Sequence, residues 1–304
     1  MLLASSDSIE SLVNFVNIEF KKICDFFRTN KLMLHPDKTK ILFFSNTSNG
    51  EGVQINCNNN NDELLNPDLI KHIFPISSND DIPAAKFLGV YFDSSLSFKY
   101  QVSCIKNKLS RALYVLRMVK KILPPTSLKM VYYTIFHCHL IYAIQVWSCC
   151  TQKLITELFK LQKSAIRIIC DVSYNAHTEP LLKKEDILPL PDLVSFFKVQ
   201  FMHRFSQNFL PTSFDQVWIR NNIRTIGENE IQLRNQNQFQ LPPSRTSLTD
   251  RLPTVNFART WEQFPDEQIK FIRKKTEFDL KLKKFYINDL SNSIVCNRLF
   301  CPSC

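Results

Sequence analysis

The chain has 304 residues, of which 44% are hydrophobic and 22% charged, and its 38 basic against 28 acidic side chains give a formal net charge of +10. This composition predicts a globular protein with enough chain to bury its own core. Only 4 glycines occur, which excludes the glycine-rich phosphate loops of dinucleotide-binding and P-loop proteins and the nucleophile elbow of α/β-hydrolases.

Cysteine usage and hydropathy indicate a reduced intracellular protein, nuclear or cytoplasmic. The chain has 10 cysteines, but several fall in apolar helical patterns, where cysteine acts as a small hydrophobe. The N-terminus shows no basic region followed by an apolar run and a cleavage site. The most apolar stretch, 130–147, is interrupted by His137, His139 and Gln145. We therefore predict a buried helix there, and no membrane partner.

One helix and a few short strands are predicted for the N-terminal third. Apolar residues recur at helical spacing over 7–29, and Asp7 with Glu10 has the spacing of a capping box. The Asn-rich stretch 46–66 is predicted to be a surface insertion. The clearest strand patterns, expected to pair antiparallel, lie at 31–34, 41–45, 70–76 and 86–92.

The rest of the chain is predicted to be mostly helical, so the fold class is α+β. A polar loop is expected over 211–256, which is rich in Asn, Gln, Pro and Arg. Helical patterns cover 98–123, 126–147, 153–170, 178–210 (with proline breaks) and 261–290.

Basic side chains concentrate in an interval that lacks acidic residues. No Asp or Glu lies between Asp93 and Glu157. Exposed helices usually mix charge signs, so a face of one sign favours a polyanionic partner, with nucleic acid first. An acidic protein or membrane surface, and an ordinary solvated face, remain alternatives. The interval holds Lys99, Lys106, Lys108, Arg111, Arg117, Lys120, Lys121, Lys129 and Lys153.

Helical periodicity predicts on which side of the apolar stripe each basic residue of helix 98–123 lies. At 100° per residue, Lys108 and Arg111 lie on one side of the apolar stripe. Along its other flank lie Lys99, Lys106, Arg117 and Lys121.

Four segments occur in an order and spacing that resemble one known family. They are Asn30–Leu32 followed by Asp37–Lys40 (NKL, DKTK), Lys86–Val90 with Asp93 (KFLGV), 161–169 (LQKSAIRII) and 177–181 (HTEPL). Over roughly residues 1–290 the chain resembles the C-terminal part of a non-LTR (LINE-type, jockey-like) retrotransposon reverse transcriptase. The resemblance implies a parent RNA-directed DNA polymerase that uses magnesium and an RNA template.

The resemblance also implies a division into four regions. Residues 1–95 would be a partial palm, with one helix and a small antiparallel sheet, and 96–175 a thumb-like helical domain. Residues 176–290 would form a C-terminal helical region that includes the polar loop, and 291–304 a cysteine-containing tail.

Particular residues take on roles through the same resemblance. Lys38 matches the motif D lysine, a general acid toward the leaving pyrophosphate, with a turn-forming lysine as the alternative. Phe87, Leu88 and Gly89 match the strand that grips the primer end, where Gly89 marks either close backbone approach or a bulge. Helix 98–123 would contact duplex phosphates through Lys99, Lys106, Lys108, Arg111, Arg117 and Lys121.

The family's metal-binding aspartates have no counterpart in this sequence. Two of them lie in a Y/F-A-D-D hairpin, and residues 1–7 resemble the strand that follows it. The only Asp-Asp pair, Asp80-Asp81, is predicted to be a solvated loop. We therefore expect a polymerase fragment that is inactive alone and binds no magnesium. Its partners would be an RNA template, an RNA/DNA or DNA duplex, and an N-terminal polymerase half.

Other functions remain open at this stage. The chain could be a stand-alone basic nucleic-acid-binding protein derived from such an element, or a helical interaction protein. Cys296, Cys301 and Cys304 have zinc-ligand spacing but number only three, so a loose tail is the alternative. His137 and His139 face apart on a helix, and hydrogen bonds in the core are expected there rather than a shared metal.

Overall fold

The computed structural model describes residues 4–32, 39–42, 44, 71–73, 84–219, 224–226, 229–231, 239–241 and 246–292. The chain divides into two compact units, Met1–Tyr100 and Gln101–Cys304. The described residues are mostly helical and include a small antiparallel sheet, which confirms the α+β class at that level. Outside them lie Lys38, the insertion 46–66, Asp80-Asp81 and Cys296, Cys301 and Cys304.

The predicted first helix is confirmed as α1, Ile9–Thr29. Its N-cap is Ser8, which makes no side-chain capping bond, so the capping box predicted for Asp7 and Glu10 is wrong. No residue of α1 is fully buried, and Ile18 and Phe26 are 59% and 62% exposed. The predicted apolar face, including Leu12, Val16 and Phe20, is half-buried.

The predicted strands are only partly correct. Strands β1 (Lys40–Leu42) and β2 (Lys71–Ile73) pair in parallel, where antiparallel pairing was predicted. Parallel pairing needs a long connection, and the stretch of chain between the two strands is long enough. Lys31, predicted to begin a strand, instead has a φ of 55° and lies in the turn after α1.

The predicted single strand 86–92 is wrong, because the chain reverses in its middle. Strands β3 (Ala84–Phe87) and β4 (Val90–Asp93) form an antiparallel hairpin with Phe87 paired to Val90. Leu88 and Gly89 make the two-residue turn with φ values of 45° and 81°. Positive φ at both positions is typical of the tight turns that match strand twist.

The predicted long helix is confirmed as α2, Lys99–Val119. The apolar stripe read from its periodicity is buried, including Ile105, Leu109 and Leu116. The helix ends in a turn before Pro124 and Pro125, as expected from the missing proline N–H and the restricted residue before proline.

The predicted continuous helix 126–147 is wrong. It consists of α3 (Pro125–Val131), a π-helix (Tyr132–His137), α4 (Cys138–Ile141) and α5 (Ile144–Trp147). Ala143 has a φ of 51°, which ends the regular hydrogen bonding. The freed Tyr142 carbonyl accepts a 2.9 Å bond from Trp147 Nε1. A local side-chain hydrogen bond thus stabilises a break that helix propensity does not predict.

Three further helices, as predicted, follow: α6 (Gln152–Ile169), α7 (Glu179–Lys184) and α8 (Leu190–Ser206). A fully buried amide joins two of these helices to the π-helix. Gln162 Nε2 donates to the Leu188 carbonyl at 2.9 Å and to the Tyr132 hydroxyl at 3.1 Å. Gln162 Oε1 accepts from the Leu190 N–H at 2.7 Å. One side chain therefore joins α6, the π-helix and the start of α8.

The predicted polar loop 211–256 contains secondary structure and core residues. It includes a 3₁₀ helix (Thr212–Phe214), the antiparallel strands β5 (Arg224–Ile226) and β6 (Asn229–Ile231), α9 (Ser247–Arg251) and the start of α10 (Pro253–Gln263). Trp218 and Phe239 are buried with Phe205 and Phe257 in an aromatic cluster. Widely spaced aromatic residues produce no periodicity, so the sequence pattern did not predict this core.

The last helices are α11 (Glu267–Lys270) and α12 (Lys275–Asn292). Phe264, Phe278 and Leu282 pack with Val199 of α8 in a second cluster. No helix in the described part of the chain combines the length and hydropathy that crossing a membrane requires.

We predict that Gln162→Leu lowers the free energy of unfolding by about 3 kcal/mol, because the Leu188 carbonyl and the Leu190 N–H lose their partner in the core. Tyr132→Phe removes one acceptor only and should cost about 1 kcal/mol. Urea denaturation of the whole chain measures both. Equal costs for the two variants would show that the amide is not the joining element.

Candidate nucleic-acid interface

The structure places the matched primer-grip residues at the tip of the β3–β4 hairpin. Phe87 and Leu88 are 42% and 76% exposed, and Gly89 occupies the second turn position. The glycine is there because a φ of 81° is costly for a residue with a Cβ. Gly89 therefore lies in a turn between two strands and not in a bulge, whereas close backbone approach to a primer stays a prediction. The tip presents two apolar side chains to solvent.

A buried carboxylate organises the loop between this hairpin and α2. Asp93, 1% exposed, accepts from the Ser97 N–H and hydroxyl at 2.9 and 2.7 Å and from the Ser95 hydroxyl at 2.7 Å. Its other oxygen accepts from the Phe98 N–H at 2.8 Å. Burial opposes ionisation, but these hydrogen bonds outweigh it and lower the pKa of Asp93.

The loop that Asp93 binds is conformationally strained. Leu96 and Phe98 have φ values of 51° and 55°, which cost non-glycine residues about 1–3 kcal/mol each. Phe98 is nonetheless buried and packs edge-on against Phe92, with ring centroids 5.8 Å apart. The Asp93 hydrogen bonds offset this strain and set where α2 begins. The sequence marked Asp93 as part of a motif without revealing this role.

The outward face of α2 is basic, as its periodicity predicted. The six basic residues assigned to the interface are all exposed, five of them on this helix and Lys121 in the turn that follows it. The five are Lys99, Lys106, Lys108, Arg111 and Arg117. Tyr114 and Met118, 62% and 50% exposed, lie among them on the outward side. Tyr100 is 44% exposed and packs edge-on against Tyr91, at a centroid distance of 4.9 Å.

Acidic residues from elsewhere in the fold neutralise three of the nine charges in the acid-free interval. Lys106 pairs with Glu157 at 3.0 Å, Lys120 with Asp171 at 2.5 Å, and Lys129 with Glu185 at 3.5 Å. Sequence position alone could not show these ion pairs. No ion pair occurs within the described residues for Lys99, Lys108, Arg111, Arg117, Lys121 and Lys153.

The Lys106–Glu157 pair does not remove Lys106 from the candidate interface. Its side chains are 49% and 33% exposed. Surface pairs of this kind contribute about 0–1 kcal/mol, so a phosphate can replace the carboxylate at little cost.

The two later segments of the resemblance have structural roles. Gln162 joins three elements, and Arg167 Nε donates to the Ala176 carbonyl at 2.9 Å while its guanidinium lies over the Tyr174 ring. Thr178 occupies the N-cap position of α7 but makes no side-chain capping bond, so only its position was predicted correctly. These segments support the fold rather than an exposed site.

Hydrogen bonds in the core were expected for His137 and His139. His137 Nδ1 is buried and has no hydrogen-bond partner in the described residues, so the expected core bond is wrong for that atom. Burial, with the nearby Lys283 charge, lowers the pKa of His137 to about 4. Burial and the charge of Lys108 also lower the pKa of His139. Both imidazoles are therefore neutral at pH 7.

The described residues do not fit the magnesium site that the resemblance implies for its parent. Within them, no group of three or more His, Cys, Asp or Glu side chains lies together in a way that could hold a metal ion. Asp93, the buried carboxylate nearest the hairpin tip in sequence, uses both oxygens for hydrogen bonds to its own loop.

Comparisons with protein-family models, with curated proteins and with solved structures found no match to this chain. The candidate interface therefore depends on the geometry and charge of its own residues.

We predict that Asp93→Asn lowers the free energy of unfolding by about 2 kcal/mol at pH 7, because an amide cannot accept all of the carboxylate's hydrogen bonds. The folded-state pKa is below the unfolded value of about 4. The stabilisation is therefore complete above that value and is lost as pH falls through the lowered pKa.

Urea denaturation at pH 7 and at pH 3 measures this difference. Asp7→Asn, at an exposed position, is the matched control and should cost nothing measurable at either pH. A penalty for Asp93→Asn that is as large at pH 3 as at pH 7 would contradict the role of the charge.

Proposed function

We propose that the chain binds a nucleic-acid duplex through the outward face of α2, as the primer–template-holding part of a non-LTR retrotransposon reverse transcriptase. The single observation that carries this proposal is the one-sided charge of α2. Its inward face is apolar and buried, and its outward face carries basic residues that no described acidic residue neutralises except at Lys106.

The chemistry of this face suits a phosphate backbone. A helix of 21 residues is about 31 Å long at 1.5 Å per residue, so its charges can follow several consecutive phosphates. Lysine and arginine contacts to phosphate position a duplex without reading its sequence. Tyr114 and Met118 add exposed apolar surface that can contact sugars between the phosphate contacts.

The palm and thumb assignments belong to this proposal. Supporting them are the order of the four sequence segments, the exposed Phe87–Gly89 hairpin tip and the helix that follows it. Asp93 orders the loop that follows the hairpin. Nuclear or cytoplasmic location and intracellular RNA partners follow from the same proposal.

Neutralising α2 should weaken duplex binding steeply. We predict that Lys99→Gln, Arg111→Gln, Arg117→Gln and Lys121→Gln, combined, lower the salt dependence of log K by about 3–4, because each lost phosphate contact removes about 0.9 from the slope. Fluorescence anisotropy with a labelled RNA/DNA duplex between 50 and 200 mM salt measures this slope.

The matched control removes the same charge from other exposed lysines, at Lys183, Lys184, Lys274 and Lys284. Its slope should remain near that of the unaltered chain. If both quadruple variants lose binding equally, general charge attraction rather than the α2 face holds the duplex. If the unaltered chain binds no duplex, the helical interaction protein is the better hypothesis.

We also predict that the purified chain has no polymerase activity. We expect the purified chain, with magnesium, deoxynucleotides and a primed RNA template, to extend no primer, because its sequence has no Y/F-A-D-D aspartates to hold two metals. Denaturing gel analysis of the primer measures extension. Incorporation above an enzyme-free control would refute the expectation.

A further inference from the structure

Two ion pairs place α6 beside α2 and show how the two helices are aligned. Glu157 of α6 pairs with Lys106 of α2 at 3.0 Å. Just after the two helices end, Asp171 pairs with Lys120 at 2.5 Å. Both pairs join positions 51 residues apart. The helices therefore run in the same direction, and at 1.5 Å per residue the two ion pairs are about 21 Å apart along them.

The Glu157 carboxylate has two lysines of its own helix as neighbours. Lys153 precedes it by four residues and Lys160 follows it by three, so all three side chains lie on one face of α6. The carboxylate nonetheless pairs with Lys106 of α2. Neither Lys153 nor Lys160 makes an ion pair within the described residues. This face therefore carries more positive charge than its one carboxylate neutralises.

Packing of α6 fixes this face toward solvent. Lys153 and Lys160 are exposed, and at about 100° per residue they lie opposite the buried side of the helix. Lys163 differs from them, because its ammonium group lies 4.8 Å from the centroid of the Phe159 ring. The buried side consists of Ile155, Leu158, Phe159, Gln162, Ala165, Ile166 and Ile169. The helix cannot rotate the two lysines inward without exposing these residues.

The flank of α2 that meets α6 is basic as well. Arg117 lies about three turns after Lys106 on the same side of α2, is exposed, and makes no ion pair within the described residues. Between the two ion pairs, residues 107–119 of α2 and 158–170 of α6 contain no Asp or Glu. Two parallel helices thus present basic side chains next to each other.

We propose that the duplex interface extends from α2 onto α6, where Lys153 and Lys160 contact phosphates. These phosphates neighbour the ones that Lys106 and Arg117 contact. The inference rests on the proposed function and adds a second helix to it. A duplex is the occupant that fits, because its charge lies in two rows of phosphates and two parallel basic helices can contact it together. Glu157 is a positioning residue that aligns the helices, while its own charge opposes phosphate binding.

The test measures how strongly the full chain binds a labelled RNA/DNA duplex between about 50 and 200 mM salt, by fluorescence anisotropy. The α6 double variant, Lys153→Gln with Lys160→Gln, should lower the slope of log K against log salt by about 1.8, because each lost phosphate contact removes about 0.9. The matched control is Lys183→Gln with Lys184→Gln, which removes the same charge from exposed positions of α7 and should leave the slope unchanged.

A variant of Glu157 tests the same interface in the opposite direction. Glu157→Gln should tighten duplex binding by about two- to fivefold, because the phosphates no longer compete with a carboxylate for Lys106 and are no longer repelled by it. Glu10→Gln, at an exposed position of α1, removes one negative charge elsewhere and should leave the affinity unchanged. An equal gain in the two variants would show that only net charge matters and would contradict the inference.

The outcomes separate this inference from the proposed function. If the α2 quadruple variant lowers the slope and the α6 double variant does not, duplex binding by α2 stands and its extension onto α6 is overturned. If neither variant changes the slope, or the unaltered chain binds no duplex, both proposals fail.

Photo-crosslinking gives a readout of contact that does not depend on charge. Benzoylphenylalanine introduced at position 160 should crosslink to the duplex on irradiation, and the same group at position 184 should not. Crosslinking at 184 but not at 160 would overturn the inference. So would vesicles of phosphatidylserine that bind the unaltered chain and not the α6 double variant, if the two have the same duplex slope, because α6 would then face a membrane surface.

Discussion

The C-terminal unit depends on one buried amide. Gln162 is fully buried, and all of its hydrogen-bonding atoms find partners on elements that the chain brings together from distant positions. A buried polar group that is fully satisfied specifies a unique arrangement, because any alternative packing leaves donors or acceptors unpaired. The π-helix beside it places the Tyr132 hydroxyl within reach of Gln162. The irregular helix and the amide thus depend on each other.

The candidate interface rests on a second constraint, the contrast between the two faces of α2. One face supplies core residues, and this fixes which side chains point outward. The absence of acidic residues between Asp93 and Glu157 leaves the outward face positive. Glu157 of α6 and Asp171 in the turn that follows it neutralise Lys106 and Lys120. The positive charge of this face is then a consequence of packing, since the helix cannot rotate without exposing its apolar stripe.

Most residues of the segments that carry the resemblance have a structural role in the fold. Gln162 and Arg167 occur in the matched segments, and the structure gives them hydrogen bonds within the fold. Asp93 likewise holds the loop before α2. The hairpin tip at Phe87–Gly89 differs, because its apolar side chains are exposed and do not contribute to a core. The proposed function assigns these side chains to the primer end.

Local pattern determined the helices and the charge of the candidate site. The period of α1, α2 and α6 and the prolines after α2 are properties of neighbouring residues, and they were predicted correctly. Contacts between distant residues decided the rest: the reversal at Gly89, the break at Ala143, the parallel strand pair and the core around Trp218. These depend on tertiary packing and on positive φ angles that only the folded chain stabilises, so a one-dimensional pattern cannot contain them.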